Sequence, residues 1–234
     1  MVIWLACYEF INNDVKFNIS QIEKALQHTP KVDLLCFGEA FLQGFDAFCW
    51  SYDTDKTIAV SQQSTEIKQI EQLSKRYATD IAFGYLEKDG DKLFSSYAVV
   101  IDGKLAHNYR RISIGWKEYT QTDEHYVEGN SVLTFNYKGH NLTIALCGDV
   151  WEFPQKFQNE DILIWPVYVN FSLQEWITEE HDYAKQAQLV CNNVLMVNSL
   201  SNNPPCHGGC SYFSNGTTQQ KLPFDTQDIL TVKV

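Results

Sequence analysis

Glu39 follows an apolar run, Leu34-Leu35-Cys36-Phe37, with Gly38 between. In layered α/β folds the groups that do chemistry gather at strand ends, so this carboxylate is a candidate general acid or base. Standing alone, it reads more simply as a solvated side chain. Cys147 ends a second run, Leu142 to Leu146, and precedes Gly148-Asp149. A thiol at the tip of a buried strand, just before a sharp turn, is placed like an acyl-transfer nucleophile. Gly148 lets the backbone bend and aim an N–H at a developing oxyanion. On spacing alone, Cys147 also reads as one more buried thiol among seven. A third stretch, 109–118, sets Arg110, Arg111 and Lys117 beside Tyr109 and Trp116; in isolation it is a surface hairpin with ordinary ion pairs. The segment Cys206-His207-Gly208-Gly209-Cys210 holds soft ligands without a second pair at zinc spacing, so no metal is expected there. Trp116, Tyr119, Trp151, Trp165 and Trp176 are candidate pocket walls, of which Trp151, two residues past Asp149, is chosen as a substrate contact. His125 and His207 stand outside any Ser or Asp arrangement that would make them catalytic.

Strands must carry these residues. Short apolar runs predict strands over 2–7, 34–37 and 81–86. Helical spacing predicts a helix after Asp14, through Ile19, Ile22, Ala25 and Leu26, and a second over 61–77 with Ile67, Ile70 and Leu73 on one face. The pattern then changes to strands over 93–101, 104–109, 132–137 and 142–147, with Asp102-Gly103 and Lys138-Gly139 as hairpin turns. A strand over 161–165, a helix over 175–191 and strands over 194–198, 210–213 and 229–234 complete the chain. Residues 201–209, rich in Asn, Pro and Gly, read as a loop. The order β-α-β-α-β, hairpins, β-α-β-β-β fits a layered α/β architecture with sheets covered by helices. No repeat or Pro/Ser linker divides the chain, so 1–234 is read as one domain.

Composition narrows the function. Hydrophobic residues make up 44% of 234, enough for a core without disulfide or metal staples. With 18 Lys and Arg against 29 Asp and Glu, the formal charge is −11, which makes nucleic acid and anionic membrane surfaces poor partners. The first apolar run is too short for a signal-peptide core, no stretch is long enough to span a membrane, and a cytoplasmic location is expected. Seven irregularly spaced Cys fit reduced core thiols.

Taken together, Glu39, a cation and Cys147, in that order and each at a strand end, resemble the carbon–nitrogen hydrolase (nitrilase) superfamily with its Glu-Lys-Cys triad. The run Asp33-Leu34-Leu35-Cys36-Phe37-Gly38-Glu39 through Gly44-Phe45 is similar to that family's Glu motif, with Gly38 where Pro is usual. The run Ile144-Ala145-Leu146-Cys147-Gly148-Asp149-Val150-Trp151 is similar to its Cys motif, in the Cys-x-Asp-x-Trp form of amide-hydrolysing members. Asn18, Phe83 to Glu87, Tyr126 to Asn130, Asn198 and Gly209 to Ser211 support the resemblance. The family's Tyr-x-Lys-x-His-Leu is here Tyr109-Arg110-Arg111-Ile112-Ser113, so Arg111 falls on the Lys position, and Lys117 lies six residues on. The family's second Glu would align near Thr122, Asp123 and Glu124 and is unassigned.

The resemblance implies a four-layer α-β-β-α sandwich, nitrilase-like, with two mixed sheets covered by helices. It implies a cofactor-free hydrolase, active as a homodimer on a small amide, nitrile or N-carbamoyl compound. Glu39 would take the Cys147 proton and hand it to the leaving nitrogen, and Cys147 would carry the acyl group as a thioester. A cation and the Gly148 N–H would hold the oxyanion. Lys117 is taken as that cation, since Gly115 permits a tight turn before it, with Arg111 as a pocket or substrate-carboxylate contact; Arg111 in the cationic role is the alternative. A functional Cys147 is expected to alkylate faster than the other thiols. Two other readings stay open: a retained fold that binds small molecules or proteins without turnover, and acyl transfer to an acceptor other than water.

Overall fold

The computed structural model describes residues 1–27 and 32–234. In chain order its elements are β1 (Val2–Cys7), α1 (Val15–Gln27), β2 (Leu34–Cys36), α2 (Tyr52–Ile58), α3 (Thr65–Tyr77), β3 (Asp80–Asp89), β4 (Lys92–Ile101) and β5 (Lys104–Arg110). There follow β6 (Leu133–Tyr137), β7 (His140–Ile144), α4 (Asp149–Glu152), β8 (Ile162–Val167), α5 (Leu173–Gln188), β9 (Asn193–Asn202), β10 (Pro205–Ser214), β11 (Thr217–Lys221) and β12 (Asp228–Lys233).

The helices start where short polar side chains satisfy the free N–H groups of a first turn. Asp14 Oδ1 accepts from the Phe17 N–H at 2.9 Å, and Ser64 caps α3 through the Ile67 N–H. Ser172 and Glu175 form a reciprocal capping box at α5. Among the described residues the strands form two six-stranded sheets, ordered β12-β1-β2-β3-β4-β5 and β11-β10-β9-β8-β7-β6. In each, three neighbouring strands run parallel (β1-β2-β3 and β7-β8-β9) and the flanking pairs are antiparallel.

Strand alternation divides the core. In β1, Ile3, Leu5 and Cys7 face the second sheet and pack with Leu142, Ile144 and Ile164 in the inter-sheet core. Trp4 and Ala6 face outward and pack with Ile22 and Leu26 of α1 and Ile67 and Ile70 of α3. Helix α5 covers the other sheet through Trp176, Tyr183, Ala184 and Ala187. The layers therefore run α-β-β-α, the expected four-layer sandwich of two mixed sheets.

Several local expectations give way. Residues 201–209 are hairpin rather than loop: β10 begins at Pro205 and pairs Cys206 with Ser201 and His207 with Leu200. Strand β7 stops at Ile144, so Cys147 sits in the turn beyond it. Helix α2 and edge strand β11 have no apolar periodicity to announce them; the burial of β11 is almost wholly exposed.

Candidate active site

Glu39 lies three residues past β2, at 0% exposure. Its loop is pinned from three sides. Tyr97 of β4 donates its hydroxyl to the Phe37 carbonyl at 2.9 Å, the Gly84 N–H of β3 donates to the Gly38 carbonyl at 3.1 Å, and the Glu39 N–H reaches Val167 O of the opposite sheet at 3.3 Å. Ala40 then turns the chain through a left-handed φ of 49°. Strand β3 passes so close that a Cβ at position 84 would come within 2.3 Å of the Ala40 nitrogen, which is why a glycine stands there.

Cys147 occupies the matching turn of the second sheet, with φ at 38°. Such a conformation in a non-glycine residue is strained and is held only where neighbours over-determine it. They do so here: the Cys147 N–H donates to Pro166 O at 2.9 Å, and Trp165 Nε1 donates to the Cys147 carbonyl at 2.9 Å. Asp149, fully buried, closes the turn by accepting from the Leu146 N–H at 2.8 Å. The same carboxylate accepts from the Ile112 N–H at 3.1 Å, the Ser113 N–H at 2.8 Å and the Tyr109 hydroxyl at 2.6 Å. One side chain thus ties the cysteine turn to the segment that leaves β5.

That segment delivers Arg111, 3% exposed. Its Nη1 donates to Glu39 Oε1 at 2.8 Å and its Nε to the Ser113 hydroxyl at 2.7 Å. Its Nη2 lies against the Gly148 backbone, where a Cβ would stand 2.5 Å away. Ser95 of β4 donates a second hydrogen bond to Glu39 Oε1 at 3.2 Å. Glu39 Oε2, buried, has no hydrogen-bond partner among the described residues. Burial works against the Arg111 charge, but Glu39, Cys147 and Asp149 together outweigh it and hold the guanidinium firmly protonated. Burial pushes the Cys147 thiol up to about 12; the Glu39 carboxylate pushes it the same way, and Arg111 pulls against both. The two residues 108 positions apart in the chain therefore act on each other directly, with a cation facing both.

Lys117 stands elsewhere. Its ammonium lies 2.8 Å from Glu128 Oε1 and donates to the Tyr126 carbonyl. It braces the excursion between Arg111 and Gly129, whose ends are joined by the Gly129 N–H donating to Arg111 O at 2.7 Å. Of the two cations weighed from the sequence, Arg111 meets Glu39 and Lys117 meets Glu128. Near the family's second acidic position, Asp123 turns outward to His125, their atoms 2.9 Å apart. Trp151, 40% exposed, sits edge-on to Tyr183 and 6.1 Å from Trp165, the ring that holds the Cys147 carbonyl. Trp165 and Trp176 are wholly buried core rings. His125 and His207 each have an aspartate, Asp123 and Asp225, against expectation; both pairs lie at the surface, the first in the excursion after Arg111 and the second at β10.

Three contributors escaped the sequence reading. Ser95 left a faint signal, a Ser-Ser pair inside the apolar run of β4. Ser113 carried none. Asp149 was visible beside Cys147, but its tie to the Arg111 segment spans two sheets. Among the described residues no cluster of three or more His, Cys, Asp or Glu is arranged to hold a metal ion. The Cys206 thiol instead meets the carbonyls of Val169 and Ser199.

Solved structures share this architecture. A superfamily protein of Xanthomonas campestris with an arsenic adduct in its active site is 17% identical over 99% of this chain and 89% of its own, with a TM-score of 0.80. A cysteine-to-alanine variant of a Nesterenkonia amidase of the nitrilase superfamily is 14% identical over 100% and 90%, with a TM-score of 0.80. The glutamine-dependent NAD+ synthetase of Acinetobacter baumannii is 18% identical over 98% of this chain but only 44% of its own, with a TM-score of 0.76. No curated protein sequence matches the chain. The sequence profile of the Carbon-nitrogen hydrolase family matches residues 10–208, and the chain belongs to that family.

Proposed function

We propose that this chain hydrolyses a non-peptide C–N bond of a small amide-type compound (amide, nitrile or N-carbamoyl) through a thioester on Cys147. The observation that carries the reading is the half-satisfied Glu39: Oε1 is held by Arg111 and Ser95, while buried Oε2 is unengaged and its charge reaches the Cys147 thiol. An oxygen kept dry and unpaired beside a protonated thiol is a general base waiting for its proton.

For an amide, Cys147 Sγ attacks the carbonyl carbon as its proton passes to Glu39. The C–S bond forms and the carbonyl oxygen becomes an oxyanion, held by the Gly148 N–H and by the Arg111 guanidinium beside it. Glu39 returns the proton to the nitrogen, the C–N bond breaks, and the amine leaves. Water then attacks the thioester, giving a proton to Glu39. The C–S bond breaks, the acid departs, and the thiol recovers its proton. Arg111 takes the cationic role in this reading and Lys117 holds the loop around it. Trp151 offers a wall for the substrate, which would be a small molecule processed by a homodimer of one-domain chains.

A second reading, a fold that binds a small molecule without turnover, is favoured by the Arg111–Glu39 ion pair, which occupies one carboxylate oxygen. Ammonia release from a panel of small amides separates the two. Release by the native chain and its loss in Cys147→Ala support hydrolysis. Tight binding of an amide with no release supports the binding module.

A further inference from the structure

Resting on the hydrolase reading, we propose that Ser113 is a positioning residue, whose hydroxyl orients the Arg111 guanidinium so that one nitrogen serves the base and another the oxyanion. A guanidinium is a planar fork with five N–H donors, so fixing any one nitrogen fixes the plane of the rest. Ser113 takes Nε at 2.7 Å, and Glu39 takes Nη1 at 2.8 Å. With those two contacts made, Nη2 is turned toward Gly148, the residue whose N–H stands next to the nucleophile. Without the Nε contact the fork can pivot about its bond to Glu39, and Nη2 swings away from Gly148.

Ser113 is itself held with little freedom. It is 0% exposed, and its backbone N–H donates to Asp149, the carboxylate that closes the cysteine turn. The hydroxyl therefore stands in a fixed relation to Cys147, and the guanidinium inherits that relation. A point-charge ammonium has no plane to orient, so Ser113 matters only while residue 111 is an arginine.

The test measures site-resolved alkylation of Cys147 against pH in the full chain, by peptide mass spectrometry, alongside ammonia release from the amide panel. Ser113→Ala is expected to slow Cys147 labelling about threefold or more at each pH below the thiol's pKa, because a displaced cation stabilises the thiolate less. It is expected to lower kcat about 10- to 100-fold with KM nearly unchanged, the signature of an interaction made in the transition state. In an Arg111→Lys background the same serine change should add nothing. Ser113→Cys, which keeps the volume with a weaker acceptor, gives the same readout should Ser113→Ala fail to fold. A wild-type labelling profile in the serine variants, or an equal effect in both backgrounds, overturns the proposal. If the native chain releases no ammonia while Ser113→Ala still shifts labelling in an Arg111-dependent way, the orienting role stands and the hydrolase reading is what fails.

Discussion

Arg111 brings a permanent charge and three nitrogens to a place where a lysine would bring one ammonium. The Arg111→Gln substitution keeps a planar polar end but removes the charge. It should cost about 100-fold or more in kcat, as loss of an oxyanion donor does, and should push the Cys147 thiol further up, since Arg111 pulls it down more than the Tyr168 backbone contact does. Stopped-flow turnover and labelling together check both effects. Lys117→Ala should act through loop order instead. Breaking its largely buried pair with Glu128 should lower stability by about 3 kcal/mol or less, read as a urea midpoint, with a smaller loss of kcat than at Arg111. The thiol itself also changes an expectation from sequence. With the Cys147 thiol held up to about 12 by burial and by Glu39, the resting cysteine is protonated at neutral pH. Iodoacetamide should label it slowly at pH 7 and steadily faster as pH rises toward the thiol's own value, behind exposed Cys49. A plateau of fast labelling below pH 8 would contradict this. In the proposed mechanism the nucleophile is made when substrate arrives and Glu39 takes the proton, not before.

At the scale of elements, the site depends on how closely β3 passes the Glu39 loop and how firmly β5 ends. Gly84→Ala would force a Cβ into the 2.3 Å gap at the Ala40 nitrogen. It should destabilise by about 1–3 kcal/mol or more and lower activity beyond what the lost stability explains, because the moving part carries Glu39. The end of β5 is anchored one residue before Arg111. Arg110 donates to buried Glu87 of β3 through Nε at 2.9 Å and Nη2 at 2.7 Å, and Ser96, Asn108 and Gln62 donate to the same carboxylate. Burial works to raise the Glu87 carboxyl, but these partners outweigh it and hold it below its usual value. A carboxyl depressed in the folded state contributes stability that is complete above its unfolded value, about 4.3, and is lost as pH falls through the lower folded value. Acid titration of native and Glu87→Gln chains should therefore converge in stability at low pH and differ at neutral pH. Parallel curves would show that Glu87 is not the titrating brace.

Across the whole molecule, the two sheets meet so that the turn after β2 and the turn after β7 face each other, with Asp149 and the Glu39–Val167 contact stitching them together. Much of this was legible in the chain. Apolar runs marked the inner strands because those strands are buried on both faces. Glu39 and Cys147 were legible because each comes within two residues of the end of such a run. Helix α2 was not, since its residues are polar and it is fixed by tertiary bonds: buried Asp55 accepts from the N–H groups of Cys49 and Trp50 and from the Tyr126 hydroxyl. The 205–214 strand was hidden by Asn, Pro and Gly at its start, and β11 by a side-chain set suited to a solvated edge. Which cation meets Glu39 was illegible for another reason. Sequence distance does not say which side chain folds back, and Lys117 is claimed by Glu128 while the fork of Arg111 is claimed by Glu39 and Ser113. The most direct measurement of the central claim is rapid acid quench of the chain during turnover of a small amide, followed by peptide mass mapping. An acyl mass on the Cys147 peptide that rises and decays with substrate, and is missing from Cys147→Ala, is the predicted result. Ammonia release that persists in Cys147→Ala, or an acyl group found on another residue, would contradict it.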